Sequence, residues 1–163
     1  MLVYISRLSY GMAEKINTTG KEPYWETKTL DQMTREEWES LCDGCAKCCL
    51  HKLEDIETGE LAFTNVTCRL LDINACSCSN YKRRSEIVPD CVVLEPNNVT
   101  QLYWMPSTCA YRLLAEGKSL PSWHPLITGD PRSVHRAGIS VRGRCVNERH
   151  AGPLEHHVLD EEP

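Results

Sequence analysis

The stretch Leu41–Leu50, LCDGCAKCCL, constrains this chain more than any other. It sets Cys42, Cys45, Cys48 and Cys49 in the pattern C-x-x-C-x-x-C-C, and Cys68, Cys76, Cys78, Cys91 and Cys109 follow. Ten cysteines stand against a single phenylalanine, so thiols are too prominent to be incidental to packing. Three uses compete: disulfides, small buried hydrophobes and metal ligands. Neighbouring Cα atoms lie about 3.8 Å apart across a trans peptide, short of the usual disulfide span of roughly 4.4–6.8 Å. A Cys48–Cys49 bridge is therefore strained, and Cys76 with Cys78 is little better. Long-range disulfides need an oxidising compartment. Packing does not account for thiols at every third residue beside Gly44 and charged neighbours. Metal does, because a C-x-x-C step lets two thiolates converge from a tight turn, for which Gly44 supplies the backbone freedom.

A tetrahedral zinc site takes four ligands. The nine cysteines from Cys42 to Cys109 thus allow two such sites with a thiol to spare, or one site with several in reserve. The run also matches bacterial ligation of a [4Fe–4S] cluster, in which a remote cysteine completes the set. All-sulfur ligation suits zinc and iron–sulfur alike, so spacing does not choose between them. The favoured arrangement has Cys42, Cys45 and Cys48 on one centre with a later cysteine. If the backbone is extended at Cys49, its side chain points elsewhere, toward a second centre with two or three of Cys68, Cys76, Cys78, Cys91 and Cys109. Cys145 reads as a spare thiol.

Several motifs in one order make the chain recognisable. CDGCAKCC, FTNVTCRLLD, CSCSNY, the Pro89–Asp90–Cys91 step, TCAYRLLAEG and LPSWHPL resemble the YcgN-like branch of the CxxCxxCC cysteine-cluster (YkgJ-type) family, over residues 25–141. The resemblance implies a bacterial, cytosolic protein that chelates zinc or iron. It supplies no reaction.

The formal charge of −5 argues against a general nucleic-acid binder. A thin apolar interior predicts that bound metal contributes to folding. Lacking a secretory signal or an apolar run of bilayer length, the chain is expected in reducing cytoplasm, where thiols favour metal over disulfides. The N-x-T sequons at Asn17, Asn65 and Asn98 then carry no glycan meaning. A protein partner remains open, and membrane is excluded as one.

The predicted fold is α+β: a small, irregular, loop-rich single domain organised around cysteine metal sites, with a few short helices and a hairpin. Residues 1–23 read as a flexible lead, of which 1–11 look like a start-codon artefact because Met12-Ala13-Glu14-Lys15 resembles an ordinary start. Residues 24–142 form the cysteine-cluster domain, and 143–163 an acidic, disordered tail. Trp25 and Leu30 are expected anchors. Thr34–Glu37 is a capping box opening a helix that buries Trp38 and Leu41 and aims Cys42 and Cys45. Two strands around Glu57-Thr58-Gly59 predict a hairpin that returns Cys68 to the cluster. Short strands are expected at 92–94 and 139–141. A helix is expected at 107–116, with Ser107 as N-cap and Gly117 as its stop.

Lys82-Arg83-Arg84 reads as charge compensation for thiolates ahead of a nucleic-acid or partner patch. His51 could complete a Cys₃His site, but a surface role is favoured. His124 is the best histidine outside the cluster, with packing the favoured role. His135 is weaker, and His156-His157 resemble adventitious metal binding. Catalytic motifs such as a phosphate loop or a nucleophile elbow are missing, so no reaction is assigned.

Overall fold

A computed structural model describes residues 22–163, which places the lead through residue 21, with its expected artefact, outside the described residues. The architecture is α+β and every element is short, as nine prolines and nine glycines in 163 residues dictate. Helix α1 (Tyr24–Thr27) leads to α2 (Arg35–Ser40). The capping box is present: Glu37 N donates to Thr34 Oγ1 at 3.2 Å, and Thr34 N donates to Glu37 Oε2 at 2.8 Å. A six-residue helix has little propensity to stand alone, so this cap is important to it. Thr34→Ala should destabilise the protein by about 1 kcal/mol, read from the denaturant midpoint.

Strands β1 (Leu50–Glu54) and β2 (Leu61–Thr67) form the expected antiparallel hairpin, with a register shift between Leu50 and Lys52. Asp55 organises its turn by accepting the Glu57 and Thr58 N–H groups, both at 2.8 Å. Strands β3 (Leu71–Asp72) and β4 (Ser77–Cys78) make a second, two-stranded sheet. Helices α3 (Arg84–Ile87), α4 (Ala110–Ala115), α5 (Pro125–Thr128) and α6 (Ser133–Arg136) follow.

Residues 143–163 are not a disordered tail. They carry β5 (Val146–Asn147), which joins β2 in parallel through Val66 and Val146, and α7 (Glu148–Ala151). Val158 bridges to Thr64, and Leu159 N donates to Phe63 O at 2.8 Å. The segment lacks periodicity because it docks by isolated contacts along one strand edge. No strand forms at 92–94 or 139–141 either. Val141 is buried, but its backbone makes no ladder, donating to Cys45 O at 3.0 Å and accepting from Arg144 N at 2.9 Å. Helix α4 begins later than expected, with Cys109 in the N-cap position, because Ser107 spends its N–H and hydroxyl on the Glu162 carboxylate.

The interior consists of two small clusters. The first gathers Trp38, Leu41, Val99, Met105, Ala110, Tyr111 and Leu120, with Trp25 and Leu30 packed against it as expected. The second gathers Ala46, Leu50, Leu71, Cys76 and Val141. LCDGCAKCCL runs from one to the other, with Leu41 in the first and Ala46 and Leu50 in the second. Among the described residues, no helix is long and apolar enough to cross a membrane.

Candidate metal centre

Helix α2 ends at Leu41, a fully buried residue whose carbonyl receives a 3.1 Å hydrogen bond from His124 Nε2. Cys42 follows immediately, so its backbone is held from both sides. Tyr111 of α4 donates its hydroxyl to Trp38 O at 2.9 Å, and the two rings lie 4.6 Å apart. That contact fixes α4, and with it Cys109, beside the end of α2. Lys47 strengthens the junction: it is buried, and its Nζ donates to Thr108 Oγ1 at 3.3 Å.

Two left-handed residues curl the motif between its first three cysteines. Gly44 has φ 76°, as its sequence role required, and Ala46 has φ 59°. The alanine lacks glycine's freedom, and such a conformation costs on the order of 1–2 kcal/mol, a kind of strain that concentrates at functional sites. Between them, Asp43 Oδ1 accepts the Cys45 N–H at 2.9 Å.

Residues Lys47–Cys49 form a 3-10 turn rather than extended chain. The condition for Cys49 to point away from Cys48 is therefore not met, and the two neighbouring thiols influence each other's titration. The Cys49 thiol is the chief cause lowering the Cys48 pKa to about 7, with help from the Lys52 ammonium. Cys48 correspondingly pushes Cys49 up, with burial adding to the rise.

The remaining thiols are carried by the motif and the start of α4 on one hand, and by the hairpin and the segments after it on the other. Charge on Cys48 acts on Cys42, Cys45 and Cys109 alike. Burial first, and repulsion from Cys48 among the further causes, push Cys109 to about 12. Cys45 is raised for the same first reason, with Asp43 next. Cys42 and Cys48 nonetheless open onto solvent.

The hairpin returns Cys68 as expected, its N–H donating to Cys49 O at 2.9 Å, and Leu70 N donates to Cys68 Sγ at 3.5 Å. The β3–β4 pairing sets Cys78 opposite Leu71. Arg69 donates to Ile87 O at 2.7 Å, drawing in the segment that carries Cys91. Cys91 feels Cys68, Cys78 and Cys48, while burial raises its pKa and Arg84 opposes the rise. Arg84 lies over the Tyr81 ring, 3.9 Å from its centroid, and Arg83 is paired with Glu86 at 2.8 Å.

Cys76 stands apart. It adopts φ 51° and packs into the second apolar cluster, where burial raises its pKa against Arg142 and it in turn raises that of Cys145. All ten cysteines are free.

The histidines lie elsewhere. His51 pairs with Glu148 at 2.6 Å, and His135 bonds Ser140 Oγ at 2.8 Å. His157 is held by Asn65 and Ala151 O rather than forming a loose pair with His156. His124 is fully buried between Leu41 O and Leu126 N.

Among the described residues, no three Cys, His, Asp or Glu side chains are already arranged to hold one metal ion. The sulfurs are neighbours rather than a finished cage, and a cation would have to draw them together. Their chemistry fits zinc or iron, since thiolate is the soft donor both accept. Asp43 of the same motif is buried, and its Oδ2 has no hydrogen-bond partner among the described residues. Sequence reasoning passed over Asp43 because an aspartate before glycine reads as a turn residue. Only its burial marks it out.

Comparison with known proteins bears on the same stretch of chain. A family model described as CxxCxxCC, "Putative zinc- or iron-chelating domain", matches residues 41–110. A UPF0260 protein of Rhizorhabdus wittichii is 65% identical over 142 residues, covering 87% of this chain and 97% of the relative. A UPF0260 protein of Granulibacter bethesdensis is 61% identical over 137 residues, covering 84% of this chain and 82% of the relative. Another, from Gluconacetobacter diazotrophicus, is 58% identical over 142 residues, covering 87% and 89%. No solved structure matches. The chain belongs to the UPF0260 family, and its residues 41–110 match the CxxCxxCC domain model.

Proposed function

We propose that this protein chelates zinc or iron at two adjoining centres in a reducing, cytoplasmic setting, and that the bound metal ties its two apolar clusters together. Cys42, Cys45, Cys48 and Cys109 would hold the first centre, and Cys49, Cys68, Cys78 and Cys91 the second. Cys76 and Cys145 stay outside both. What supports this reading is the backbone of the motif, curled by left-handed Gly44 and Ala46 and a 3-10 turn at Lys47–Cys49, with Cys49 O accepting the Cys68 N–H at 2.9 Å. Thiols kept protonated by burial and mutual repulsion are costly neighbours; a bound cation reverses the balance and converts them to thiolates. Metal uptake should accordingly release protons.

The test is metal and acid-labile sulfide analysis of protein purified without oxygen. Two centres are expected, with zinc and no sulfide if the sites are structural. Iron with stoichiometric sulfide would make them iron–sulfur clusters and bring electron transfer, or service to an oxidoreductase, into play. Cys109→Ser and Cys78→Ser should each remove one centre, and the double variant both. A double variant losing no more than either single one would reduce two centres to one. Background metal in the unaltered protein would overturn chelation itself.

A further inference from the structure

The hairpin and the final segment meet at one half-buried carboxylate. Glu148, the first residue of α7, sets Oε2 2.6 Å from His51 Nε2, and its Oε1 accepts the Arg69 backbone N–H at 2.9 Å and Arg69 Nη1 at 3.4 Å. His51 stands two residues after Cys49, and Arg69 directly follows Cys68. Between these points the Cys68 N–H donates to Cys49 O at 2.9 Å. Glu148 therefore closes a ring of hydrogen bonds around the junction where both cysteines leave the hairpin. The strand ladder alone does not fix that junction, because its register shifts between Leu50 and Lys52, and a side chain, Thr64 Oγ1, takes the His51 carbonyl at 2.7 Å. Such irregularities re-aim the residues beside them, and a charge-assisted clamp then decides where they point. Arg69 extends the grip, since its Nη2 donates to Ile87 O at 2.7 Å, four residues before Cys91. The carboxylate is delivered by β5, and a four-residue helix does not stand alone. Docking of residues 143–163 and the setting of Cys49 against Cys68 thus share the same contacts.

We propose that Glu148 is a positioning residue for the cation held through Cys49 and Cys68: it touches no ion, but it fixes the two backbones that present the thiols, and so couples metal uptake at the second centre to docking of the final segment. Such coupling is reciprocal, so bound metal tightens the docking in turn. This inference rests on the chelation reading, and its test separates the two.

Glu148→Gln keeps an oxygen for the Arg69 N–H and removes the charge shared by His51 and Arg69. His51→Ala cuts the same link from the hairpin side and serves if the glutamine variant does not fold. Thr34→Ala, which lowers stability away from this junction, is the control, and Cys68→Ser is run alongside. Each full-length protein is loaded anaerobically with cobalt(II), whose visible bands report the donor atoms, and challenged with a competing chelator at one pH. Trypsin cleavage after Arg149, exposed on α7, is timed with and without cobalt. In Glu148→Gln one cobalt equivalent should be held about tenfold more weakly, with its bands unmoved, and cobalt should no longer slow the cleavage as it does in the unaltered protein. Unaltered affinity in Glu148→Gln, an equal loss in Thr34→Ala, or bands that report a changed donor set would overturn the positioning role. If Glu148→Gln keeps both equivalents while Cys68→Ser loses one, chelation stands without the carboxylate. If Cys68→Ser holds as much cobalt as the unaltered protein, the chelation reading at this centre falls as well.

Discussion

Cys45→Ser protein is expected to lose the metal of its first centre and, with it, much of its cooperative unfolding. Structural zinc contributes apparent binding free energies of about 10–16 kcal/mol in small domains, and where no finished cage precedes the ion that energy is folding energy. Both apolar clusters here are small, and Cys45 lies between them with its carbonyl holding Val141. The melting temperature should therefore drop steeply in Cys45→Ser, and a strong chelator should bring the unaltered protein to a similar state. Cys42→Ser separates metal loss from damaged packing, because Cys42 is exposed whereas Cys45 is buried. Cys145→Ser should keep both metal and melting temperature. Equal metal content in Cys45→Ser and Cys145→Ser would contradict the assignment.

His124→Ala is expected to destabilise the protein by roughly 3–5 kcal/mol, through the cavity and the two backbone groups left without partners. The Leu126 N–H can only donate, so it fixes Nδ1 as the acceptor and leaves the proton on Nε2, where it serves Leu41 O. A second proton would have to enter at Nδ1, facing that N–H. Burial holds the pKa of this imidazole below its usual value, against the pull of Leu41 O and Asp43. The unfolded chain therefore takes up the proton first. The stability is complete above about pH 6.5 and erodes as pH falls from there toward the depressed folded value. Denaturant midpoints near pH 8 and about pH 5.5 should differ for the natural protein by an amount that His124→Ala removes. An unchanged difference in the variant would assign the effect to other groups.

What the sequence disclosed was local. The capping box at Thr34–Glu37 and the hairpin turn each involve groups a few residues apart, and both appear where the spelling placed them. Gly44 was legible because glycine is the usual occupant of a left-handed position, whereas Ala46 in the same conformation left no mark. Cys109 could be expected to face inward, but its meeting with Cys42 depends on Tyr111 reaching Trp38 across the chain. The final segment was missed for a related reason: Val146 and Val158 each meet one residue of β2, Glu148 pairs with His51 and Arg69, and isolated contacts make no period. Cys76 was grouped with its neighbour Cys78 by spacing alone, yet its left-handed backbone turns it into the apolar cluster with Cys145.

The ten residues from Leu41 to Leu50 have one foot in each interior cluster. A seam of this kind makes ion occupancy a mechanical variable: loaded, the halves open as one body; emptied, each is left to breathe at its own low threshold. Cells that starve such a protein of metal would meet a molecule hinged at its middle, with the cysteine-bearing edge newly available to proteases or to a partner able to refill it.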